Sequence, residues 1–270
     1  YTFQCRRMTD FRHGRVLFVG DAAHQVSPFG ARGANSGFQD VDDLMWKLAL
    51  VMKGQAPDKL LDTYAHDRQF AADENIMNST RSTDFITPKS RTSKTFRNAV
   101  LALAKQHPFA RKLVNSGRLS MPSFLTDSVL NTPDADVFAG QMVPGAPMDD
   151  APVQVDGRDA WLLDQVGQGF QCLLFVDAAP DAQSLAALQT LHQGAVPVNT
   201  LIVSPQALSV PGFSVLVDAQ GWMAKRYDAQ AGTAYLLRPD QHVVARWRQL
   251  QPAAVQAAVA RAIGQIIGQI

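Results

Sequence analysis

Asp21 sits between Gly20 and Ala22-Ala23-His24, and Pro28 and then Gly33-Ala34-Asn35-Ser36-Gly37 follow shortly after. A carboxylate fixed there can accept hydrogen bonds from sugar-like hydroxyls, each charge-assisted bond contributing roughly 1.5–3 kcal/mol. The turn Ser27-Pro28-Phe29-Gly30 can pass close to a flat ring, because glycine permits backbone approach. A helix that opens on Gly33-Ala34-Asn35 aims unpaired N–H groups at whatever lies before it, and such a terminus favours negative charge. The combination suits a bound cofactor with hydroxyls and a partly anionic ring. Each part also has a plainer reading. An Asp at a strand end can be a cap, a Gly-rich turn can be only a turn, and His24 reads as a packed, hydrogen-bonded histidine. The order of the parts carries the specificity.

The elements that must hold these residues follow from periodicity. Tyr1, Phe3 and Cys5 alternate with Thr2, Gln4 and Arg6, which predicts a half-buried strand beginning at once. Val16-Leu17-Phe18-Val19 predicts a second strand, joined to the first by a turn from Asp10 to Gly14. Phe38, Val41, Leu44, Met45, Leu48 and Met52 recur at helical spacing and predict a helix over 35–53. Asn35 or Ser36 is its expected N-cap, Gly54 follows its end, and Met45 and Trp46 are expected in its core face. Leu60, Leu61, Tyr64 and Phe70 continue a second helix. Residues 75–120 read as mostly helical, with breaks near Thr87-Pro88 and His107-Pro108.

Residues 121–150 are rich in Pro, Asp and Gly and read as a connecting segment. Beyond them the composition changes. Trp161 to Leu163, Gln171 to Val176, Asn199 to Val203, Ser214 to Val217, Ala234 to Leu237 and Val243 to Trp247 are short strand-like runs. Helical stretches lie at Ala182 to Gln193 and Pro252 to Ile267. Strand, helix, strand, two hairpin-like strands and a final helix make a small α/β domain.

Bulk properties exclude several classes. The 270 residues suffice for two domains, and the formal net charge of +1 gives no electrostatic case for nucleic acid or an anionic membrane. No run approaches the roughly 18 apolar residues of a spanning helix. The two cysteines, Cys5 and Cys172, lie far apart in strand-like contexts. They read as buried thiols of a cytoplasmic protein, not as a disulfide or a metal site. Asn78-Ser79-Thr80 fits a glycosylation sequon without a secretion signal to support it. No G-x-G-x-x-G precedes the strand at Val16, so the site looks like the second half of a cofactor site whose first half is upstream. The strand at Tyr1 likewise expects upstream neighbours, or else an edge position within this chain.

Gly20-Asp21-Ala22-Ala23-His24, Pro28, Gly33, Asn35, Gly37, Asp40 and Leu44 through Leu48 resemble the second flavin fingerprint of the single-component FAD-dependent aromatic hydroxylases. These are group A flavoprotein monooxygenases, including the phenol and 3-hydroxyphenylpropionate hydroxylase types. The resemblance covers residues 1–80. It implies that Asp21, after Gly20, binds the ribityl chain of FAD, that Pro28 lies at the flavin edge, and that Gly33, Ala34 and Asn35 sit by flavin N1 and O2. Ala31-Arg32 and Ala34 are tolerated variations. The family's N-terminal Gly-rich fingerprint, its middle Asp-Gly motif and most of its substrate-covering sheet do not appear here.

Residues 137–270 resemble the thioredoxin-like C-terminal domain of the phenol-hydroxylase branch, with Tyr235 to Asp240 and Val243 to Trp247 similar to its closing hairpin. Cys172 has no second cysteine within three residues, so dithiol exchange is excluded and the domain is structural or serves in association, a homodimer being one expectation. Arg238 and Arg246 are expected to be solvated or ion-paired. The fold expected is α/β: a partial FAD-binding, glutathione-reductase-like segment with helices (1–120), a linker (121–136), and a thioredoxin-like domain (137–270). The resemblance implies a parent that hydroxylates a small phenolic substrate with NAD(P)H and O2. Its missing N-terminal segment would carry the dinucleotide fingerprint, and the isolated chain is expected to lack full activity. Nothing in the sequence supplies an obvious base for phenol deprotonation, and no metal is implied. Two other readings are a non-catalytic association module and a flavin oxidase-type tailoring enzyme.

Overall fold

Short extended pieces pinned by turns open the chain. The computed structural model describes residues 2–28, 30–114 and 121–266. Two compact units emerge, one from residues 1–45 with 64–123 and the other from 46–63 with 124–270.

In the first unit, β1 (Arg6–Arg7) pairs antiparallel with β4 (His24–Gln25), and β2 (Arg12–His13) with β3 (Val16–Leu17). The alternation from Thr2 to Cys5 does not become a strand, and Tyr1 lies outside the described residues. The strand expected over Val16 to Val19 closes at Leu17. Phe18 still donates its N–H to Phe11 O at 2.9 Å.

Helix α1 (Arg32–Met52) starts three residues before the expected position, so neither Asn35 nor Ser36 is its N-cap. Asn35 lies inside the first turn, and its amide folds back to donate to Ala31 O at 2.8 Å. Helices α2 (Leu60–Ile86), α3 (Arg91–Ala104) and α4 (Pro108–Val114) follow. The breaks fall where Thr87-Pro88 and His107-Pro108 foretell, because proline disfavours helix in the residue before it. Ser90 caps α3 by accepting from Ser93 N at 3.0 Å. Residues 115–120 of the expected helical stretch lie outside the described residues.

The burial of α1 inverts its expected polarity. Ser36, Asp40, Asp43 and Lys47 recur at helical spacing and are buried. Phe38 is 74% exposed, and Val41, Met45 and Met52 are exposed with it. Leu44 and Trp46 are buried as expected, but Met45 is not. The physical reason within the first unit is that α2 meets α1 through polar groups. Arg68 bonds Asp40, and Asn75 donates to Ser36 Oγ at 2.8 Å.

The second unit is a seven-stranded mixed sheet. Its strands are β5 (Pro152–Val155), β6 (Arg158–Trp161), β7 (Phe170–Phe175), β8 (Val198–Ser204), β9 (Ser214–Val217), β10 (Ala234–Leu237) and β11 (Val243–Trp247), in the order β11-β10-β7-β8-β9-β5-β6. β7, β8 and β9 run parallel, while β10 is antiparallel to both β7 and β11. Helices α5 (Ala182–His192), α6 (Trp222–Arg226) and α7 (Pro252–Ala262), with residues 46–63 from the end of α1 and the start of α2, complete the unit. Cys172, Leu174, Ile202 and Leu236 share one apolar cluster with Leu188 of α5 and Val255 of α7. Leu173, Phe175, Val203 and Leu237 share another with Met223 and Tyr227. Central strands covered on both faces read as continuous apolar runs, which is how the sequence located them. The run Trp161 to Leu163 divides between β6 and a short 3-10 turn at Leu162–Gln165. The final helix ends at Ala262, and Ile267 lies outside the described residues. β5 and α6 had no counterpart in the sequence reading.

The stretch before β5 lies along β11. Thr132 N donates to Val244 O at 2.9 Å, Gly145 N to Val243 O at 2.7 Å, and Val243 N to Ala146 O at 2.8 Å. Leu125 and Leu130 are buried. Leu125 N donates to Gly145 O at 2.7 Å, and Gly145 has φ +92° with no room for a Cβ against Leu125 O. No helix among the described residues is long and apolar enough to cross a membrane.

Candidate flavin-facing site

The chain leaves β3 extended at Val19 and reverses at Gly20, whose φ of +58° suits a residue without a Cβ. Gly20–Ala22 then form a single 3-10 turn, closed by Ala23 N donating to Gly20 O at 2.9 Å. Asp21 therefore rides on a turn rather than at the strand's last residue. Its carboxylate is exposed and makes no hydrogen bond or ion pair among the described residues. Farther along, Ser79 Oγ on α2 donates to Ser27 O at 3.2 Å, and the Thr83 and Ser27 hydroxyls lie 3.0 Å apart. Ser27 N also donates to Cys5 Sγ at 3.2 Å. Pro28 is exposed, and its carbonyl accepts from Ala31 N at 3.1 Å. Phe29, part of the turn expected to pass a ring, lies outside the described residues.

The turn delivers the chain into α1. Gly33 is half-buried, while Ala34 and Asn35 are exposed in the first turn. The N–H groups of Arg32, Gly33 and Ala34 have no partner within the helix, whereas Asn35 N–H makes its first i→i−4 bond, to Ala31 O. Gly20, Asp21, Pro28, Gly33, Ala34 and Asn35 thus occupy one strand–turn–helix passage of the first unit. Beside the start of α1, Gly30, Arg32, Asn35, Asn75 and Ser123 line a cleft of about 200 Å³. Arg32 donates to Asn75 Oδ1 and, at 3.0 Å, to Met121 O. Burial lowers the pKa of the Arg32 guanidinium, against the raising influence of Glu74.

Under this passage lies a buried ionic knot. Asp40 on α1 is fully buried. Its Oδ2 accepts from Gly20 N at 2.9 Å and bonds His24 Nε2 at 2.7 Å, while Oδ1 accepts from Arg68 Nε at 2.8 Å. A carboxylate only accepts, so His24 must carry a proton on Nε2. Its ring stacks on Phe11 at 5.7 Å, and Nδ1 is buried without a partner. His24 is therefore the packed, hydrogen-bonded histidine its context suggested. Burial pushes the Asp40 carboxyl up, but the hydrogen bond from His24 and the charge of Arg68 outweigh it. The group lies below the ordinary carboxylate value. The buried Tyr64 hydroxyl donates to Phe18 O, and burial first, then Asp40, raises its pKa. Asp40 belonged to the recognised fingerprint but had no role assigned. Arg68 went unnoticed, because a lone arginine in a charged helix reads as surface.

In the second unit the candidate chemistry reduces to structure. Cys172 is fully buried in β7, and desolvation pushes its thiol up to about 12. Arg238 grips Asp240 with two bonds of 2.7 Å. Arg246 pairs with Asp134 at 2.6 Å and lies 4.4 Å from the centre of the Phe138 ring. Both arginines are buried and ion-paired, in keeping with the sequence reading.

Comparison with known proteins gives these residues a family context. The family model described as FAD binding domain matches residues 1–79. A 3-(3-hydroxy-phenyl)propionate/3-hydroxycinnamic acid hydroxylase from Mycolicibacterium gilvum is 30% identical over 259 residues, covering 91% of this chain and 44% of that protein. A second such hydroxylase, from Burkholderia vietnamiensis, is 30% identical over 267 residues, covering 96% of this chain and 48% of that protein. The chain spans about half the length of the curated relatives it matches. The crystal structure of the flavin-dependent monooxygenase PieE in complex with FAD and substrate matches with a TM-score of 0.75 at 22% identity, over 98% of this chain and 50% of that one.

Proposed function

We propose that this chain forms the flavin-ring side of the cofactor site in an FAD-dependent hydroxylase acting on a small phenolic ring with NAD(P)H and O2. The premise is that residues 1–79 are FAD-binding-domain sequence and that the chain has the fold of flavin-dependent monooxygenases. One observation carries the reading. Asp21, an exposed carboxylate with no partner among the described residues, stands on a fixed turn in the passage that leads into the open first turn of a 21-residue helix.

The donor set suits FAD. Asp21 would accept hydrogen bonds from ribityl hydroxyls. The free first-turn N–H groups at Gly33 and Ala34, with Asn35 beside them, would face the pyrimidine edge, where a helix terminus favours negative charge by roughly 0.3–2 kcal/mol. The backbone of Gly20 allows the reversal that brings Asp21 forward, and Pro28 would border the ring. Both the side-chain amide and the backbone N–H of Asn35 are engaged with Ala31 O, so Asn35 would shape the edge of the site rather than donate to the ligand. Bound FAD supplies the redox and oxygen chemistry; the protein binds it, orients it and keeps its edge in a polar setting.

The remaining half of the cofactor site is assigned to an N-terminal segment carrying the dinucleotide fingerprint. Relatives twice as long and the exposed stripe Phe38, Val41 and Met45 support that assignment. The second unit is read as thioredoxin-like over residues 137–270, after a linker at 121–136, in a cytoplasmic enzyme. The parallel β7–α5–β8 unit, the antiparallel β10–β11 hairpin and the closing α7 support the thioredoxin-like reading. Its role is structural or associative, since Cys172 lacks a nearby second thiol.

The test is FAD affinity in the full-length protein. Asp21→Ala should weaken FAD binding by roughly 1.5–3 kcal/mol, the worth of a charge-assisted hydrogen bond. Unchanged affinity in that variant overturns the assignment of Asp21. Residues 1–270 alone should bind FAD poorly, and tight stoichiometric binding by this chain would refute the half-site reading.

A further inference from the structure

The turn that carries Asp21 is closed by one bond of its own, Ala23 N to Gly20 O at 2.9 Å, and its tip is open. Asp21 and Ala22 are exposed, and no bond to the Asp21 side chain exists among the described residues. Its backbone is also held by Met8 N on Ala23 O at 2.8 Å and by the pairing of His24 with Arg7, and its two ends, Gly20 and His24, are tied to each other by one side-chain oxygen. Asp40 Oδ2 takes the Gly20 N–H at 2.9 Å and His24 Nε2 at 2.7 Å. The other oxygen, Oδ1, is taken by Arg68 Nε at 2.8 Å. Three donors, from the start of the turn, the end of the turn and α2, thus converge on one fully buried carboxylate. The side chains of His24 and Arg68 are 2% and 3% exposed, so water does not compete for these bonds.

This arrangement does more than stabilise a core. A carboxylate held by a second helix is a fixed reference point, and both ends of the Asp21 turn are measured from it. We propose that Asp40, anchored by Arg68, is the positioning residue for FAD in this protein: it sets the place of the Asp21 carboxylate through Gly20 and His24. The proposal rests on the flavin assignment of Asp21. Asp40 is fully buried. On this proposal its effect on the cofactor passes through Asp21 rather than through the first turn of its own helix, and that makes it separable from a general contribution to folding.

The separation is made by a double-mutant cycle on FAD affinity in the full-length protein, read by flavin fluorescence and visible absorption. Asp40→Asn keeps the size of the side chain but removes its charge and one acceptor. It should weaken FAD binding about tenfold, the worth of roughly one net hydrogen bond. In an Asp21→Ala background the same change should have almost no further effect. His24→Phe keeps an aromatic ring against Phe11 and removes only one bond to Asp40. It should weaken FAD by a smaller factor that also vanishes in the Asp21→Ala background, and it serves if Asp40→Asn does not fold. His24→Gln, which retains a donor, should restore part of the loss. If Asp21→Ala itself leaves affinity unchanged, the flavin assignment fails. If Asp21→Ala weakens binding while Asp40→Asn and His24→Phe do not, the positioning role fails. Equal losses with and without Asp21 would reduce Asp40 to a folding residue and overturn the proposal.

Discussion

Residues 32–45 of helix α1, in the first unit, and the β7–β8–β10 strands of the second bury opposite kinds of side chain. In the second unit the apolar positions of the sequence are the buried ones, from Phe170 and Cys172 through Ile202 to Leu236. On α1 the buried stripe is Ser36, Asp40 and Asp43, continued by Lys47, while Phe38 and Met45 face outward. The second unit is organised by the removal of apolar surface from water, a non-directional force. On α1 the first is organised by directed bonds that set a loop, and the apolar residues Phe38, Val41 and Met45 stay exposed. One unit is thus built around an apolar core and the other around a buried ionic knot beneath the Asp21 turn.

The largest effect expected to test this contrast is at Asp40. Asp40→Ala leaves the Arg68 guanidinium buried without its carboxylate, and should cost about 3–5 kcal/mol. Denaturant unfolding, with hydrogen exchange at α1 and α2 amides, would measure it; a loss below about 1 kcal/mol would mean that the knot is ornamental. Acid should reproduce the change. The folded pKa of Asp40 lies below its unfolded value, so its contribution is present above the unfolded value of about 4 and is lost as pH falls through the lower folded value. Wild-type unfolding should therefore steepen below about pH 4, and Asp40→Asn should flatten that slope.

The matching change in the second unit is apolar. Leu236→Ala, at a fully buried β10 position, should cost about 2–5 kcal/mol through lost transfer and a cavity. It should show no comparable acid dependence, and an equal pH slope would erase the contrast. Gly145→Ala should cost about 2 kcal/mol or more, because a Cβ would meet Leu125 O at a backbone angle only glycine adopts freely. The smallest effect belongs to the inverted stripe. Met45→Gln should change the stability of this 270-residue chain by no more than about 0.5 kcal/mol, as at ordinary surface positions. A loss of several kcal/mol in this chain would show that the stripe is already covered.

The sequence made the second unit legible because central strands are continuous apolar runs and the helices between them keep their caps and spacing. Asp181 caps α5 by accepting from Ser184 N at 2.7 Å, and Pro252 opens α7. β5 escaped notice because Pro152-Val153-Gln154-Val155 is short and starts on a proline. In the first unit the fingerprint residues were readable as a group, since their order is specific. The face that α1 buries was not. Hydrophobic spacing reports that a helix has an apolar side, but which side its neighbours take depends on long-range pairs such as Asp40 with Arg68. Helix starts suffered similarly. Asn35 looks like a cap from its residue type, yet the chain already turns at Gly30 and Ala31, with φ of +93° and +52°.

The stretch lying along β11 has a bearing on how molecules of this chain meet one another. An unpaired outer strand offers a row of N–H and C=O groups to any extended peptide, and is a route to domain swapping and aggregation. Here Thr132, Gly145 and Ala146 already occupy those groups on Val243 and Val244, and Pro147 bridges to His242. What looks from its composition like a passive tether covers part of the outer edge of β11 with backbone hydrogen bonds. A protease nick between Leu125 and Gly145 would therefore show itself first as a change in solubility, before any loss of the sheet.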